Sequence, residues 1–285
     1  MFIPRYKSEL SDEEKEGMKI LLSQRFLSKM GKEIDWDNPT TFNEKINWLK
    51  VYDHNSLKTQ CADKIAVRDY IRYKLGQEFI VPTYYIGYDV DSINPENITA
   101  DKFVAKVNHD NGGVYVCEDR QSFDFVACRE FLLDRLQMDY SDFSLEMQYR
   151  DIKRGYIVEK FIESGNPLGT VDYKFVCFNG KPRYLFVATR KPCSHITHYT
   201  LDWERMPFRY EYDVHDCDFE KPKNLNFMID AAQKIAKDFK FVRVDMFKDV
   251  EDNVYVGELT FHPGSGYNDF EPKSWDTIIG KEMNL

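Results

Sequence analysis

The spacing of apolar and polar residues divides the chain into a helical first part and a strand-rich remainder. Ser11 with Glu14 forms a capping box, which opens a helix expected to run to about Met30, where Gly31 supplies the stop. Thr41 with Glu44 forms a second box opening FNEKINWLKVY, and residues 35–39 are the break between the two. A third helix is predicted over 61–75, ending at Gly76. From Phe79 the period shortens: EFIVPTYYIGY, KFVAKV and GVYVC are short β-rich runs separated by polar turns. A helix over 122–137 and a strand over 156–162 follow. Strands over 173–178 and 183–188 are joined by Asn179-Gly180, the strongest short hairpin signal. Segment 191–222 is polar, with aromatics and no period, and predicts a long loop. Asn224 then caps an amphipathic helix whose Leu225, Met228, Ile229, Ala232, Ile235, Ala236 and Phe239 share a face. Strands over 241–247 and 254–261 and a glycine-containing loop, Pro263 to Gly266, complete the pattern.

The last strand pair carries chemistry. In FVRVDMF, Phe241, Arg243, Asp245 and Phe247 fall on one face; in VYVGELTF, alternation puts Val254, Val256, Glu258 and Thr260 together. A two-residue turn at Glu251-Asp252 pairs Val250 with Asn253. Counting outward, Asp245 then lies opposite Glu258 and Arg243 opposite Thr260. Directly opposed side chains are ~5 Å apart, and like charges there are destabilising. Either a divalent cation bridges the two carboxylates, as Mg²⁺ does when it also takes phosphate oxygens, or Arg243 neutralises them on a solvated face. A different turn length would shift the register.

Composition narrows the class. At 285 residues, 42% apolar and 15% aromatic, the chain is globular, with one large domain or two lobes. Its net charge of −9 argues against a nucleic-acid partner, which needs a basic face. No apolar run reaches the ~18 residues of a membrane span, and the charged N-terminus lacks a signal-peptide stretch, so a cytoplasmic location is expected. The six cysteines, none in CxxC spacing, read as buried hydrophobes.

Other candidate groups are weaker alone. Lys106 ends a strand before a loop closing on Gly112-Gly113, where glycines let backbone N–H groups approach a phosphate; an ordinary surface lysine fits as well. Glu159-Lys160 end YIVEKFIE, and Lys174 lies between apolar neighbours in VDYKFV. Asp63-Lys64 sit early in a predicted helix. His109, His195 and His198 are possible ligands or bases, though His195-x-x-His198 lacks the carboxylate of a zinc protease motif. There is no GxSxG, no GxGxxG and no Cys/His dyad, which argues against a simple hydrolase or a Rossmann oxidoreductase.

Together the stretches PTTFNEKINWLKVYD, ADKIAVRDYI, IVPTYYIGYD, FVAKVNHDNGG, DYKFVCFNGKPRYLFV, the helix before RVDMF, and GELTFHPGSGYNDFEP resemble the TupA-like branch of the ATP-grasp superfamily, associated with bacterial cell-surface polysaccharide synthesis. The resemblance covers the chain in order from about Pro39 to Leu285. It implies an α+β ATP-grasp fold in which two α+β lobes clasp ATP behind a mostly helical N-terminal lobe, divided as 1–100, 101–163 and 164–285. It implies ATP and Mg²⁺ as cofactors. Lys64 and Lys106 would reach the phosphates and the adenine side, Asn111, Gly112 and Gly113 would form the flap over the phosphates, and Glu159, Lys160 and Ile162 the adenine-holding hinge. Lys174 would face the phosphates and Arg243 the transferred phosphoryl group, both catalytic. Asp245 and Glu258 would hold the metal, with Thr260 where the usual third ligand is asparagine; Glu163 is the candidate ribose-binding acid. The implied activity is a carboxylate–amine ligase acting through an acylphosphate on a small-molecule or saccharide carboxylate and an amine acceptor. A glycosyltransferase, with Asp89-Val90-Asp91 as its only DxD-like string, and a non-catalytic nucleotide-binding protein are the rival readings.

Overall fold

A computed structural model describes residues 2–189, 195–210, 214 and 218–285. In chain order the helices are α1 (Asp12–Met30), α2 (Phe42–Tyr52), α3 (Ser56–Ala62), α4 (Val67–Lys74), α5 (Phe125–Gln137), α6 (Tyr140–Ser144), α7 (Leu225–Ala236) and α8 (Ser274–Gly280). The strands are β1 (Thr83–Gly87), β2 (Phe103–Val107), β3 (Tyr115–Cys117), β4 (Tyr156–Lys160), β5 (Asp172–Phe178), β6 (Lys181–Thr189), β7 (His195–Thr200), β8 (Arg209–Tyr210), β9 (Phe241–Lys248), β10 (Val254–Thr260) and β11 (Phe270–Glu271). The mixed α+β architecture is the expected one.

The capping boxes explain the first two helices. Ser11 Oγ accepts from the Glu14 amide at 3.2 Å while Glu14 Oε2 accepts from the Ser11 amide at 2.7 Å, and Gly31 ends α1 at φ 70°. Thr41 and Glu44 repeat the exchange at α2, at 3.3 and 2.9 Å. The third predicted helix is broken into α3 and α4. Asp63 leaves the helix because its side chain accepts from Ile65 N–H at 2.8 Å, and the Lys64 amide donates to Asn108 O at 2.9 Å. A short polar side chain competing with the i→i−4 ladder is the usual cause of such a break.

The chain divides into two compact units, Met1–Ser8 with Asn55–Glu163, and Glu9–His54 with Ser164–Leu285. In this division α1 and α2 group with the C-terminal segment, and α3 and α4 with the first sheet. In the first unit four antiparallel strands run in the order β1-β4-β2-β3. Alternation along β2 buries Phe103, Ala105 and Val107 in a core with Cys128 and Leu132 of α5, and leaves Val104 and Lys106 half-buried on the opposite face. The strand predicted to Ile162 ends at Lys160.

In the second unit five antiparallel strands run β10-β9-β5-β6-β7. Asn179 and Gly180 turn β5 into β6 with φ of 49° and 80°, the paired positive values that a tight hairpin turn requires. Helix α7 starts after Asn224 as predicted, but the Asn224 side chain makes no cap bond; it donates to Asp252 O at 3.3 Å. One sheet face, with Phe178, Tyr184 and Phe241, packs against Phe42, Ile46 and Leu49 of α2. The expectation of a loop over 191–222 is corrected in part. His195–Thr200 forms β7, paired with β6 from Thr189↔His195 to Tyr184↔Thr200. Its four inner residues are buried, so two histidines hid a strand from a reading based on polarity. Among the described residues no helix is long and apolar enough to cross a membrane.

Candidate active site

Pairing in the second sheet sets a row of charged groups. Lys174 of β5 is the register partner of Asp245 of β9, and Asp245 is the partner of Glu258 of β10. In the neighbouring row Arg243 is the partner of Thr260. The expected opposition of Asp245 and Glu258 is therefore present, but the reasoning from a two-residue turn is corrected. Val254 pairs with Lys248 and Val256 with Met246; the register then shifts by one at a bulge, so that Gly257 is the extra residue. The loop is closed by Asp249, whose Oδ1 accepts from the Glu251 and Asn253 amides, both at 2.9 Å. The bulge also splits the predicted face of β10. Val254 and Val256 turn inward with Leu259, all buried, while Glu258 and Thr260 share the face of Asp245 and Arg243.

Asp245 is 4% exposed. Arg243 Nε donates to its Oδ1 and Arg243 Nη2 to its Oδ2, both at 2.7 Å, and Lys174 Nζ also donates to Oδ2. Burial raises the Asp245 carboxyl, and the adjacent Arg243 and Lys174 charges more than reverse this, holding it below the usual carboxylate range. Burial likewise lowers the Arg243 guanidinium, and Asp245 overrides it upward. Arg243 Nη2 reaches Thr260 Oγ1 at 2.9 Å. Among the described residues no hydrogen bond or ion pair is made to the half-buried Glu258 carboxylate.

The donor set can be tested against a divalent cation. An ionised carboxylate offers about four acceptor positions. Asp245 Oδ2 takes two donors, whereas Oδ1 takes one, which leaves Oδ1 acceptor capacity on the strand position that faces Glu258. That is a fit for Mg²⁺, which binds through one or two carboxylates and completes its shell from phosphates and water. No group of three or more His, Cys, Asp or Glu suited to a metal occurs among the described residues.

The first unit repeats the arrangement twice. Lys106 Nζ lies 2.6 Å from Glu159 Oε2, and Arg68 Nη1 lies 2.6 Å from Glu159 Oε1. Lys64 Nζ lies 3.2 Å from Asp110 Oδ1, and Arg135 Nε lies 2.6 Å from Asp110 Oδ2. Glu159 is 6% and Asp110 0% exposed. Each of Lys64, Lys106 and Lys174 thus shares one buried carboxylate with an arginine; the two triads of the first unit each have one formal positive charge in excess, whereas Lys174 also lies 3.5 Å from Asp172 Oδ2. Burial lowers the Arg68 guanidinium against the pull of Glu159. Sequence reasoning missed Arg68, Asp110 and Arg135. They come from α4, a loop and α5, and no spacing rule joins them to the lysines they serve.

The remaining predicted residues are spread along these elements. Asn111 and Gly112 are exposed and Gly113 is buried in the loop after β2; Gly112 has φ 81°, and Arg135 Nη2 donates to Asn111 O at 3.0 Å. Lys160 ends β4, its amide donating to Pro82 O at 2.8 Å. Ile162 lies beyond the strand, buried, and Glu163 is exposed and paired with Lys102. His198 is buried with its ring 4.2 Å from that of Phe208, and burial pushes it down to about 3. His109 is buried with Nε2 3.2 Å from Met138 O. Asp89 accepts from the Asp91 amide at 3.0 Å, a turn role. Cys61, Cys117, Cys128 and Cys177 are buried thiols; Cys193 and Cys217 lie outside the described residues.

The model of the TupA-like ATP-grasp family matches residues 44–284. No curated protein matches the chain. Among solved structures, an L-amino acid ligase from Bacillus licheniformis is 13% identical, with a TM-score of 0.48, over 89% of this chain and 57% of its own. N5-carboxyaminoimidazole synthetase from Staphylococcus aureus is 11% identical, with a TM-score of 0.39, over 70% of this chain and 44% of its own. D-alanine–D-alanine ligase from Bacillus anthracis complexed with ATP is 18% identical, with a TM-score of 0.43, over 79% and 67%. The chain therefore spans 57% and 44% of the length of the first two.

Proposed function

The chain belongs to the TupA-like ATP-grasp family, and from that premise we propose that it is an ATP- and Mg²⁺-dependent ligase joining a carboxylate to an amine through an acylphosphate. The observation that carries this reading is the cross-strand row Lys174–Asp245–Glu258 with Arg243 and Thr260 beside it. It sets two carboxylates and two cations on one face of three adjacent strands, a donor set suited to a metal-bound phosphate.

Asp245, Glu258 and Thr260 would hold Mg²⁺, which when bound neutralises phosphate charge and orients the phosphoryl group. Lys174 and Arg243 stabilise the charge on the phosphoryl group as an oxygen of the substrate carboxylate bonds to its phosphorus, the bond to ADP breaks, and the negative charge given up by the carboxylate collects on ADP. Fixed by Asp245, their head groups need little reorganisation as that charge develops. Lys64 and Lys106 bind nucleotide phosphates, with Asn111, Gly112 and Gly113 covering them. Glu159 positions Lys106, and the backbone of Lys160 and Ile162 receives adenine; Glu163 is the ribose acid. The loop from Gly264 to Gly266, a few residues beyond Thr260, holds the acceptor. The amine then attacks the acylphosphate carbon, the C–O bond to phosphate breaks, and inorganic phosphate leaves with the proton that the nitrogen loses as the amide forms.

A uronic or other sugar acid and an amino acid or amino alcohol would suit a role in surface polysaccharide synthesis, in the cytoplasm. Sugar acids screened against amino acids for phosphate release test the reading. ADP and phosphate appearing only when both acceptors are present supports it; UDP release from a nucleotide sugar would sink it in favour of glycosyl transfer.

A further inference from the structure

Helix α2 buries a polar stripe that packing alone does not call for. Phe42, Ile46 and Leu49 already seat the helix against the sheet. Beside them Asn43, Asn47 and Lys50 are spaced i, i+4, i+7, one line along a helix, and each is 1% exposed or less. Buried polar groups are costly unless hydrogen-bonded, so their partners are informative.

Those partners converge on one loop. Lys50 Nζ donates to Ser265 O at 3.0 Å and Ser265 Oγ at 2.7 Å. Asn47 Nδ2 donates to Gly266 O at 2.9 Å. Asn43 Nδ2 donates to Asn268 O at 2.8 Å, and the Asn268 amide donates back to Asn43 Oδ1 at 3.0 Å. The loop needs such support. Gly264, Ser265 and Gly266 have φ of 53°, 54° and 73°, three consecutive left-handed residues, a run that an L-residue such as Ser265 disfavours. Within the loop, Ser265 N–H to His262 O at 2.9 Å and Tyr267 N–H to Gly264 O at 3.1 Å are the backbone bonds among the described residues. The fit is tight: a Cβ on Gly266 would lie 2.5 Å from Asn47 Nδ2. Gly264, at the tip, remains exposed.

We propose that Asn43, Asn47 and Lys50 are positioning residues that hold the loop after the Glu258 strand in its left-handed shape and thereby set how the acceptor, not the nucleotide, is bound. This rests on the ligase reading, which assigns the acceptor to that loop. The grip falls on backbone carbonyls, the Ser265 hydroxyl and the Asn268 amide, and the tip at Gly264 stays exposed.

The test uses the full chain with Asn47→Ala, Lys50→Met and the conservative Lys50→Arg. Three readouts are taken: hydrogen exchange over 262–268, affinity for Mg²⁺ with a non-hydrolysable ATP analogue, and steady-state kinetics with an acceptor pair that the wild type turns over. Loop exchange is expected to rise about tenfold or more while nucleotide affinity stays within about twofold. The KM for the acceptor should rise about tenfold with the KM for ATP unchanged, and Lys50→Arg should recover part of the loss. Unchanged loop exchange, an unchanged acceptor KM, or equal rises in both KM values would overturn the proposal, the last marking a merely structural role. If Asn47→Ala does not fold, Lys50→Met, which keeps the apolar stem, decides by the same criteria. A wild type inactive with every acceptor pair would sink the ligase reading instead. Loop exchange and nucleotide affinity would then still decide the clamp, for if the loop stays protected in the variants the clamp is wrong.

Discussion

Glu258 stands opposite Asp245 across β9 and β10, although the hairpin joining the strands is one residue out of step with that pairing. The extra residue is Gly257, and its bulge carries Glu258 from the core side to the face that bears Arg243 and Lys174. Bulges that re-aim a side chain are common beside functional sites.

Length tests this arrangement. Without Gly257 the regular ladder from Val256↔Met246 runs directly to Glu258↔Asp245. Deleting Gly257 is therefore expected to keep Mg²⁺-dependent binding of an ATP analogue within about tenfold of wild type, measured by calorimetry. Loss of binding with an unchanged far-ultraviolet circular dichroism spectrum would show that the bulge itself aims the carboxylate.

The two acidic residues are not equivalent probes. Asp245→Asn removes the charge shared by Arg243 and Lys174, so that the half-buried Arg243 loses its carboxylate partner while Lys174 keeps only Asp172, at 3.5 Å. A loss of about 3–5 kcal/mol is expected, the usual effect of removing one partner of a buried ion pair. Glu258→Gln breaks no ion pair among the described residues and should cost within about 0.5 kcal/mol while abolishing Mg²⁺-dependent turnover. Urea melts beside phosphate-release assays separate these outcomes, and a Glu258→Gln enzyme with full activity would remove the metal assignment.

Arg68 offers a test of the triads. Arg68→Met leaves Glu159 to Lys106 alone and cancels the excess positive charge there. The KM for ATP is expected to rise about tenfold, with a smaller change in kcat, as for an interaction made in ground and transition states alike. Titration of ATP at saturating acceptors would show it; equal falls in kcat and kcat/KM would place Arg68 in the chemical step instead.

Acid stability should depend on His198. Its folded value, about 3, lies below the ordinary value near 6.5, so below that pH the unfolded state binds more protons than the native one. Its neutral form supports the fold fully above about pH 6.5, and that support declines by up to about 1.4 kcal/mol per pH unit on acidification until the folded value is reached. His198→Phe should flatten the part of the decline between pH 6 and 4 that this residue causes, read from denaturant midpoints. A parallel decline in wild type and variant would assign it to other groups.

How much of this was readable in advance follows from the range of each interaction. The capping boxes at Ser11 and Thr41 and the Asn179-Gly180 turn involve residues within four positions of each other, so the chain encodes them locally. The alternation that puts Arg243 and Asp245 on one face is local too. The bulge at Gly257 is not, because it depends on how a five-residue loop and a partner strand settle together. His195–Thr200 was hidden because a strand's identity there comes from pairing with β6, not from its own polarity.

The sequence by itself determined the positions of the capped helices, the alternation of the paired strands and, through long particular stretches, the family. Only the tertiary structure decided that Arg68 and Arg135 share carboxylates with Lys106 and Lys64, and that Asn43, Asn47 and Lys50 grip a loop more than two hundred residues away. The physical reason is that a charge or an amide looks the same in a sequence whether water or protein satisfies it. Its partner is chosen when the chain folds and water is excluded, and that choice turns a polar residue into part of a site.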